Sequence, residues 1–253
     1  MNIKINGLNI NYEVSGEGTP VILLHGWLCS LDTMKPIANI LQNFKVYNVD
    51  LPGFGKSDMP EKPYNTNDFG DFLDGFIKEL EIENPILIGH SNGGRTIINY
   101  AGRELGKVKK IILIDSAGIK PKRKLGYYIR VYTFKFLKKF LGIFPNVEMF
   151  NNIRERVLGK FGSSDYKNSP EILRKTMSII INEDQTDILK NIKAPTILLW
   201  GENDTDTPIS DGKIMEENIK DSSLIEIKGA GHFSYLDSYN QCMEIIKKFI
   251  KEE

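Results

Sequence analysis

The sequence holds little cysteine, no surplus of charge and no long apolar run. Only Cys29 and Cys242 occur among 253 residues, far below the density of a disulfide scaffold. The 33 Lys and Arg equal the 33 Asp and Glu, so the chain lacks the excess positive charge by which general nucleic-acid binders neutralise phosphates. The longest uncharged run, 18–31, falls short of the ~20 residues of a membrane span and is broken by Pro20 and Gly26. Met1-Asn2-Ile3-Lys4-Ile5 shows no basic segment leading into an apolar one, so no signal peptide is expected and a cytoplasmic protein is. No repeat or low-complexity tract is visible. With 41% hydrophobic residues the chain is not disordered. At this length it can bury roughly 70–75% of its unfolded surface without covalent staples.

What is present is alternation. Ile3 and Ile5, then Leu8, Ile10 and Tyr12, alternate with polar residues on either side of Asn6-Gly7, which predicts a hairpin. Short continuous apolar runs follow at 21–24, 46–49, 86–88, 111–114 and 197–200, the pattern of strands buried on both faces. Helix-period stretches lie between them, at 31–42, 67–80 and 96–105, and a last helix is expected near 241–251. Strand and helix alternating in this way predict an α/β protein built on a mostly parallel sheet with right-handed crossovers. The alternation lapses after Gly118 and resumes near Pro195. A structureless loop of that length is improbable, so residues 119–191 are expected to form a helical cap inserted into a core of 1–118 and 192–253.

Gly89-His90-Ser91-Asn92-Gly93 follows the strand at 86–88 and precedes a helix. This is the context of a nucleophile elbow, G-x-S-x-G, in which a sharp strand-to-helix turn lifts a serine above the carboxyl edge of the sheet. A serine hydroxyl needs a base. There are three histidines. His90 is inside the elbow, where adjacent side chains diverge, and His25 suits a loop-shaping role. His232, in the glycine-flanked segment Gly229-Ala230-Gly231-His232-Phe233, can reach back to Ser91. A carboxylate must then hold the imidazole. Asp204, in Gly201-Glu202-Asn203-Asp204, lies between serine and histidine in chain order. Asp115, at the end of an earlier strand, and Asp206 and Glu202, in the same loop, are its competitors. The backbone N–H groups of Asn92 and of Trp27, in the loop after the first buried strand, are the expected oxyanion donors.

In order along the chain, His25-Gly26-Trp27, the segment 50–58, the elbow at 89–94, residues 200–204 with Pro208 after them, and 229–233 resemble the α/β-hydrolase superfamily in its compact, capped form. The resemblance implies an eight-stranded sheet flanked by helices, Ser91, Asp204 and His232 as a triad, and the amides of Trp27 and Asn92 as an oxyanion hole. It also implies a structural tight turn at 50–58. Relatives that form an alkyl-enzyme ester, the dehalogenases and epoxide hydrolases, carry Asp at the elbow, and Ser91 argues against both. Asn92 departs from the Met, Leu or Phe that many relatives carry, and brings a polar amide near the pocket.

The implied function is a serine hydrolase working through an acyl-enzyme, a carboxylic-ester hydrolase on a small or medium, partly apolar molecule. A C–C bond hydrolase of diketones, an acyltransferase or perhydrolase, and a cyanohydrin lyase use the same triad. A non-catalytic ligand-binding relative is the alternative of another class. No cofactor is expected, since the sequence has neither a P-loop nor a G-x-G-x-x-G after a strand, and no metal, since its histidines are scattered. Residues 116–147 hold eight Lys or Arg and no Asp or Glu, which leaves 25 basic and 33 acidic residues elsewhere. Leu125, Ile129, Tyr132, Phe136 and Phe140 recur there near helical spacing, with Arg130, Lys135, Lys138 and Lys139 off that face. Packing over the body, attraction of an anionic substrate and contact with an anionic membrane are the three readings of this stretch. Oligomeric state is left open.

Overall fold

Unbroken apolar runs become central strands. The computed structural model describes residues 1–121 and 170–251. In it β1 (Asn2–Ile5), β2 (Leu8–Ser15), β3 (Pro20–Leu24), β4 (Lys45–Val49), β5 (Ile86–His90), β6 (Lys110–Ile114), β7 (Thr196–Gly201) and β8 (Ser222–Ile227) form one eight-stranded sheet. Its order is β1-β2-β4-β3-β5-β6-β7-β8. The pairs β1–β2 and β2–β4 are antiparallel, and β4–β3 through β7–β8 are parallel. The sheet is therefore mostly parallel, with the hairpin at one edge.

Alternation along each strand divides the core in two. Ile22 and Leu24 of β3 and Leu87 of β5 join one apolar cluster, while Val21 and Leu23 and Ile86 and Ile88 join the other. The first cluster takes helices α2 (Thr66–Glu79) and α3 (Asn92–Gly102), and the second takes α1 (Lys35–Ala38) and α8 (Tyr239–Lys251). Helix α2 shows the cause most plainly. Asn65 caps it in a reciprocal box with Asp68, and Phe69, Phe72, Leu73, Phe76 and Ile77 bury one face. Each such side chain is worth about 1.5–3 kcal/mol of burial.

The helix expected over 31–42 is shorter than its periodicity promised. Leu31–Met34 is a 3-10 turn and only Lys35–Ala38 is α-helical. Pro36 is tolerated only in a first turn. The Leu31 N–H is held by Asp50 Oδ1 at 2.7 Å and its carbonyl accepts from Asn48 Nδ2 at 2.8 Å, which fixes where the segment starts.

Most of the stretch 119–191 lies outside the described residues, including the basic, aromatic segment from Leu125 to Phe140. Its described end contains α4 (Glu171–Ile180) and α5 (Thr186–Leu189). Leu173 and Ile180 pack into the cluster that holds α2 and α3. Thr176 Oγ1 accepts the Tyr64 N–H at 2.9 Å, and Glu183 accepts the Thr66 N–H at 2.8 Å. Helix α6 (Ile209–Asn218) links β7 to β8, and the short α7 (Ser234–Asp237) precedes α8. Among the described residues no helix is long and apolar enough to cross a membrane.

Candidate active site

The strand β5 must reverse into α3 within two residues, and the backbone shows the strain of it. Ser91 has φ 50° and ψ −111°, a left-handed conformation costly for a residue with a side chain. Glycine at both flanks makes the turn possible. A Cβ on Gly89 would stand 2.6 Å from the carbonyl carbon of Gly93, and one on Gly93 would collide with the Leu24 carbonyl. The Ser91 amide donates to the Ile114 carbonyl at 3.0 Å, and its own carbonyl accepts from Ala117 N at 3.0 Å, so β6 braces the bend.

Ser91, His232 and Asp204 come together from three separate strand ends. His232 Nε2 lies 3.0 Å from Ser91 Oγ, and His232 Nδ1 lies 2.8 Å from Asp204 Oδ2. A carboxylate can only accept, so Nδ1 carries the hydrogen and Nε2 is left to accept from the hydroxyl. Burial works against charge on the ring, but the hydrogen bond and charge of Asp204 outweigh it and raise the pKa of His232 above its ordinary value. Burial likewise pushes the Asp204 carboxyl up. The His232 contact, with Thr207, more than reverses this and holds it below the usual range.

Asp204 is itself held from several sides. Its Oδ1 accepts the N–H groups of Asp206 at 2.8 Å and Thr207 at 3.0 Å. The Thr207 hydroxyl lies 2.8 Å from Asp204 Oδ2 and 3.0 Å from the Asp115 carbonyl. The fully buried Trp200 donates its indole N–H to the Thr207 carbonyl at 2.7 Å. Sequence reasoning missed Thr207, whose only signal was its place three residues after Asp204.

The competitors for the acid lie elsewhere. Asp115 Oδ1 accepts the Gly201 N–H at 2.8 Å and Oδ2 the Ser234 N–H at 2.9 Å. It thus ties the end of β7 to the turn after His232. Burial pushes its carboxyl up to about 7 against these bonds. Asp206 lines the pocket beside His232, and Glu202 Oε2 takes the Gly229 N–H at 2.9 Å.

The other two histidines are structural. His90 Nε2 donates to the His232 carbonyl at 2.7 Å, and its ring packs against Phe233 with centroids 4.7 Å apart. It therefore supports the loop of the base from beneath. Burial, then the nearby His232, lowers its pKa to about 3, so it stays neutral. His25 donates from Nδ1 to the Gly26 carbonyl at 2.7 Å and accepts the Leu51 N–H on Nε2 at 3.0 Å.

Around Ser91 lies a cavity of about 310 Å³. Trp27 and Asn92 both line it, and the Asn92 amide opens α3, where N–H groups have no partner within the helix. Met177, Ile180 and Ile181 supply apolar wall from the α4 end, while Arg95, Asp206 and Asp211 add charge. Burial pushes the Asp211 carboxyl up to about 6. Cys29 is a half-buried part of the wall. Among the described residues no group of His, Cys, Asp and Glu side chains is placed to hold a metal ion.

Comparison with known proteins agrees with this architecture. A family model described as alpha/beta hydrolase fold matches residues 19–239. The AB hydrolase superfamily protein YisY of Bacillus subtilis strain 168 is 28% identical over 94% of this chain and 93% of its own. A pimeloyl-(acyl-carrier protein) methyl ester esterase of Legionella pneumophila strain Lens is 28% identical over 96% of this chain and 100% of its own. Among solved structures, an esterase of Exiguobacterium antarcticum aligns with a TM-score of 0.76 at 25% identity, covering 99% of both chains.

Proposed function

The chain belongs to the α/β-hydrolase fold family, and from that premise we propose that it is a serine hydrolase, a carboxylic-ester hydrolase for small or medium, partly apolar substrates. The observation that carries the reading is the continuous hydrogen-bonded path Ser91–His232–Asp204, with 3.0 Å and 2.8 Å links, opening on a cavity. Relatives named as esterases support the class.

His232 Nε2 takes the Ser91 proton as Oγ attacks the ester carbonyl. Asp204 holds the imidazolium that forms. The tetrahedral oxyanion is held by the N–H groups of Trp27 and Asn92, each such donor being worth about 2.7–4 kcal/mol in the transition state. The imidazolium passes its proton to the departing alkoxide, leaving the acyl group on Ser91. Water, deprotonated by His232, attacks that acyl group. The second oxyanion collapses, Ser91 recovers its proton and the acid leaves. No cofactor enters this scheme. Residues 119–191 act as a cap in this reading, and its described α4 end contributes Met177, Ile180 and Ile181 to the wall.

The test is turnover of p-nitrophenyl acetate and butyrate together with labelling by a fluorophosphonate probe. Both are expected of the intact chain, and Ser91→Ala is expected to lose both. An intact chain that does neither, and is matched by Ser91→Ala, would sink the reading.

A further inference from the structure

Arg95 stands one helical turn beyond Ser91 on α3 and lines the same cavity. The residue is only 5% exposed. Its Nη1 donates to the Ile180 carbonyl at the end of α4, at 2.7 Å, while its Nε is buried with no hydrogen-bond partner. The negative charges that act on it are Glu183 and Asp184. Glu183 is committed to the Thr66 amide and hydroxyl, and Asp184 to the Thr186 amide and hydroxyl. Among the described residues Arg95 forms no ion pair. Three residues before it, on the same helix face, Asn92 is 3% exposed, lines the cavity and leaves both its Oδ1 and its Nδ2 unpartnered.

A guanidinium out of water without a counter-charge is costly, and so is an amide with neither end bonded. Buried groups of this kind are ordinarily satisfied by something. Here two of them, one cationic, converge on one cavity beside the serine, at the positive end of an eleven-residue helix.

We propose that the cavity recognises a carboxylate on the substrate, distinct from the ester that reacts: the Arg95 guanidinium and the Asn92 Nδ2 donate to it while the ester carbonyl lies at Ser91 Oγ. The assignment of the ester to Ser91 rests on the serine-hydrolase reading above. A planar carboxylate matches the fork of a guanidinium, and such charge-assisted bonds are the strong ones. Asp206 and Asp211, on the β7–α6 side of the cavity, repel an anion from that wall and so direct it toward α3. Ser91 immediately precedes α3, Arg95 lies in its first turn, and both line the same cavity of about 310 Å³. The spacer between the two carbonyl carbons is therefore short, as in half-esters of four- to six-carbon diacids.

The test has a binding arm and a turnover arm, both on the full chain. In the first, thermal unfolding is followed with glutarate and with the neutral isostere glutaramide. Glutarate is expected to raise Tm saturably, glutaramide not, and Arg95→Gln to remove the difference. Equal effects of the two compounds, or none, overturn the proposal. In the second, kcat/KM is measured for monomethyl glutarate and for its neutral monoamide. The intact chain is expected to prefer the acid by about 10- to 100-fold, the worth of a hydrogen bond to a charged group. Arg95→Gln is expected to bring that ratio near one, and Arg95→Lys to restore part of it. An arginine that merely anchors α4 would lower both substrates alike and keep the ratio, which overturns the proposal. If Arg95→Gln does not fold, the ratio in the intact chain decides, and a ratio of one or less is fatal. A chain that labels with fluorophosphonate and turns over the monoamide without preferring the acid keeps the hydrolase reading and loses this one. Glutarate-specific stabilisation without labelling or turnover does the reverse.

Discussion

His25 with Asp50, and His232 with Asp204, are two histidine–aspartate pairs near the carboxyl edge of one sheet. Their nearest N···O distances are 4.0 Å and 2.8 Å. In the first pair both ring nitrogens are occupied by backbone: Nδ1 donates to Gly26 and Nε2 accepts from Leu51. Burial lowers that ring to about 4, with the Gly26 bond and the Asp50 charge only partly opposing it. The Asp50 carboxylate is turned elsewhere, to the amides of Leu31 and Lys56 and the side chain of Asn11. In the second pair the carboxylate takes Nδ1–H directly and leaves Nε2 facing Ser91 Oγ. The same two residue types thus give a neutral strut in one place and a base in the other. What differs is whether the carboxylate takes Nδ1–H, and whether Nε2 faces a backbone amide or a hydroxyl.

Removing the hydroxyl or the base should separate the pairs most widely. Ser91→Ala and His232→Ala are each expected to lower kcat on p-nitrophenyl butyrate by up to about 10⁶-fold, the scale seen when either member of such a unit is removed. Circular dichroism and Tm should stay near those of the intact chain. A His232→Ala chain that keeps most of its activity would erase the distinction.

Asp204→Asn comes next. It is expected to cost about 10⁴-fold in kcat, because an amide no longer fixes the tautomer. The pH profile adds a sign. His232 must be neutral to accept the proton, and Asp204 raises its pKa above 6.5. In the intact chain kcat/KM should therefore be full above that pKa and fall as pH drops through it. In Asp204→Asn the fall should move to lower pH. A limb that does not move places the titrating group elsewhere.

Asp115 bridges the comparison, since it too sits at a strand end, yet it touches neither ring. Asp115→Ala leaves the Gly201 and Ser234 N–H groups without acceptors, at about 1–3 kcal/mol each. A drop in Tm is expected, with a loss of kcat of roughly 10- to 100-fold as His232 loses its alignment with Ser91. The pH midpoint should fall by less than in Asp204→Asn, because the Asp204 hydrogen bond is intact and only the weaker pull of the Asp115 charge on His232 is lost. A midpoint displaced as far as in Asp204→Asn would make Asp115 a direct partner of the base.

The sheet, the elbow and the three hydrogen-bonded residues were legible because each is written locally: an apolar run for a strand, glycines at a sharp bend, a polar loop at a strand end. Asp204 and Asp115 look alike by that measure, and only the third dimension separates them. One meets an imidazole and the other meets two amides. Thr207, the support His90 gives to the His232 loop and the contact of Arg95 with the end of α4 were not legible. Each depends on elements 25 to 142 residues apart along the chain. The helix expected at 31–42 is shorter for a local reason. Its periodicity is real, but Pro36 is tolerated only in the first turn of an α-helix, so the α-helical part cannot run from Leu31 and begins at Lys35.

The smallest effect on chemistry is expected at His25, and it tests the strut half of the comparison. His25→Ala removes the acceptor of the buried Leu51 N–H and the donor to the Gly26 carbonyl. The lost acceptor alone should cost about 1–3 kcal/mol of stability, read as a lower midpoint in urea with an unchanged slope. The ring is neutral across the working range, so its removal takes no charge from the site and the pH profile should keep its midpoint. Any loss of kcat/KM, expected below about 10-fold, would come through the Gly26–Trp27 backbone, and a few-fold change there is the scale of a small displacement of one oxyanion donor. A His25→Ala chain of near-normal stability whose acid limb shifts would mean that this histidine, and not only His232, exchanges protons with the reaction. The two pairs would then differ in degree and not in kind.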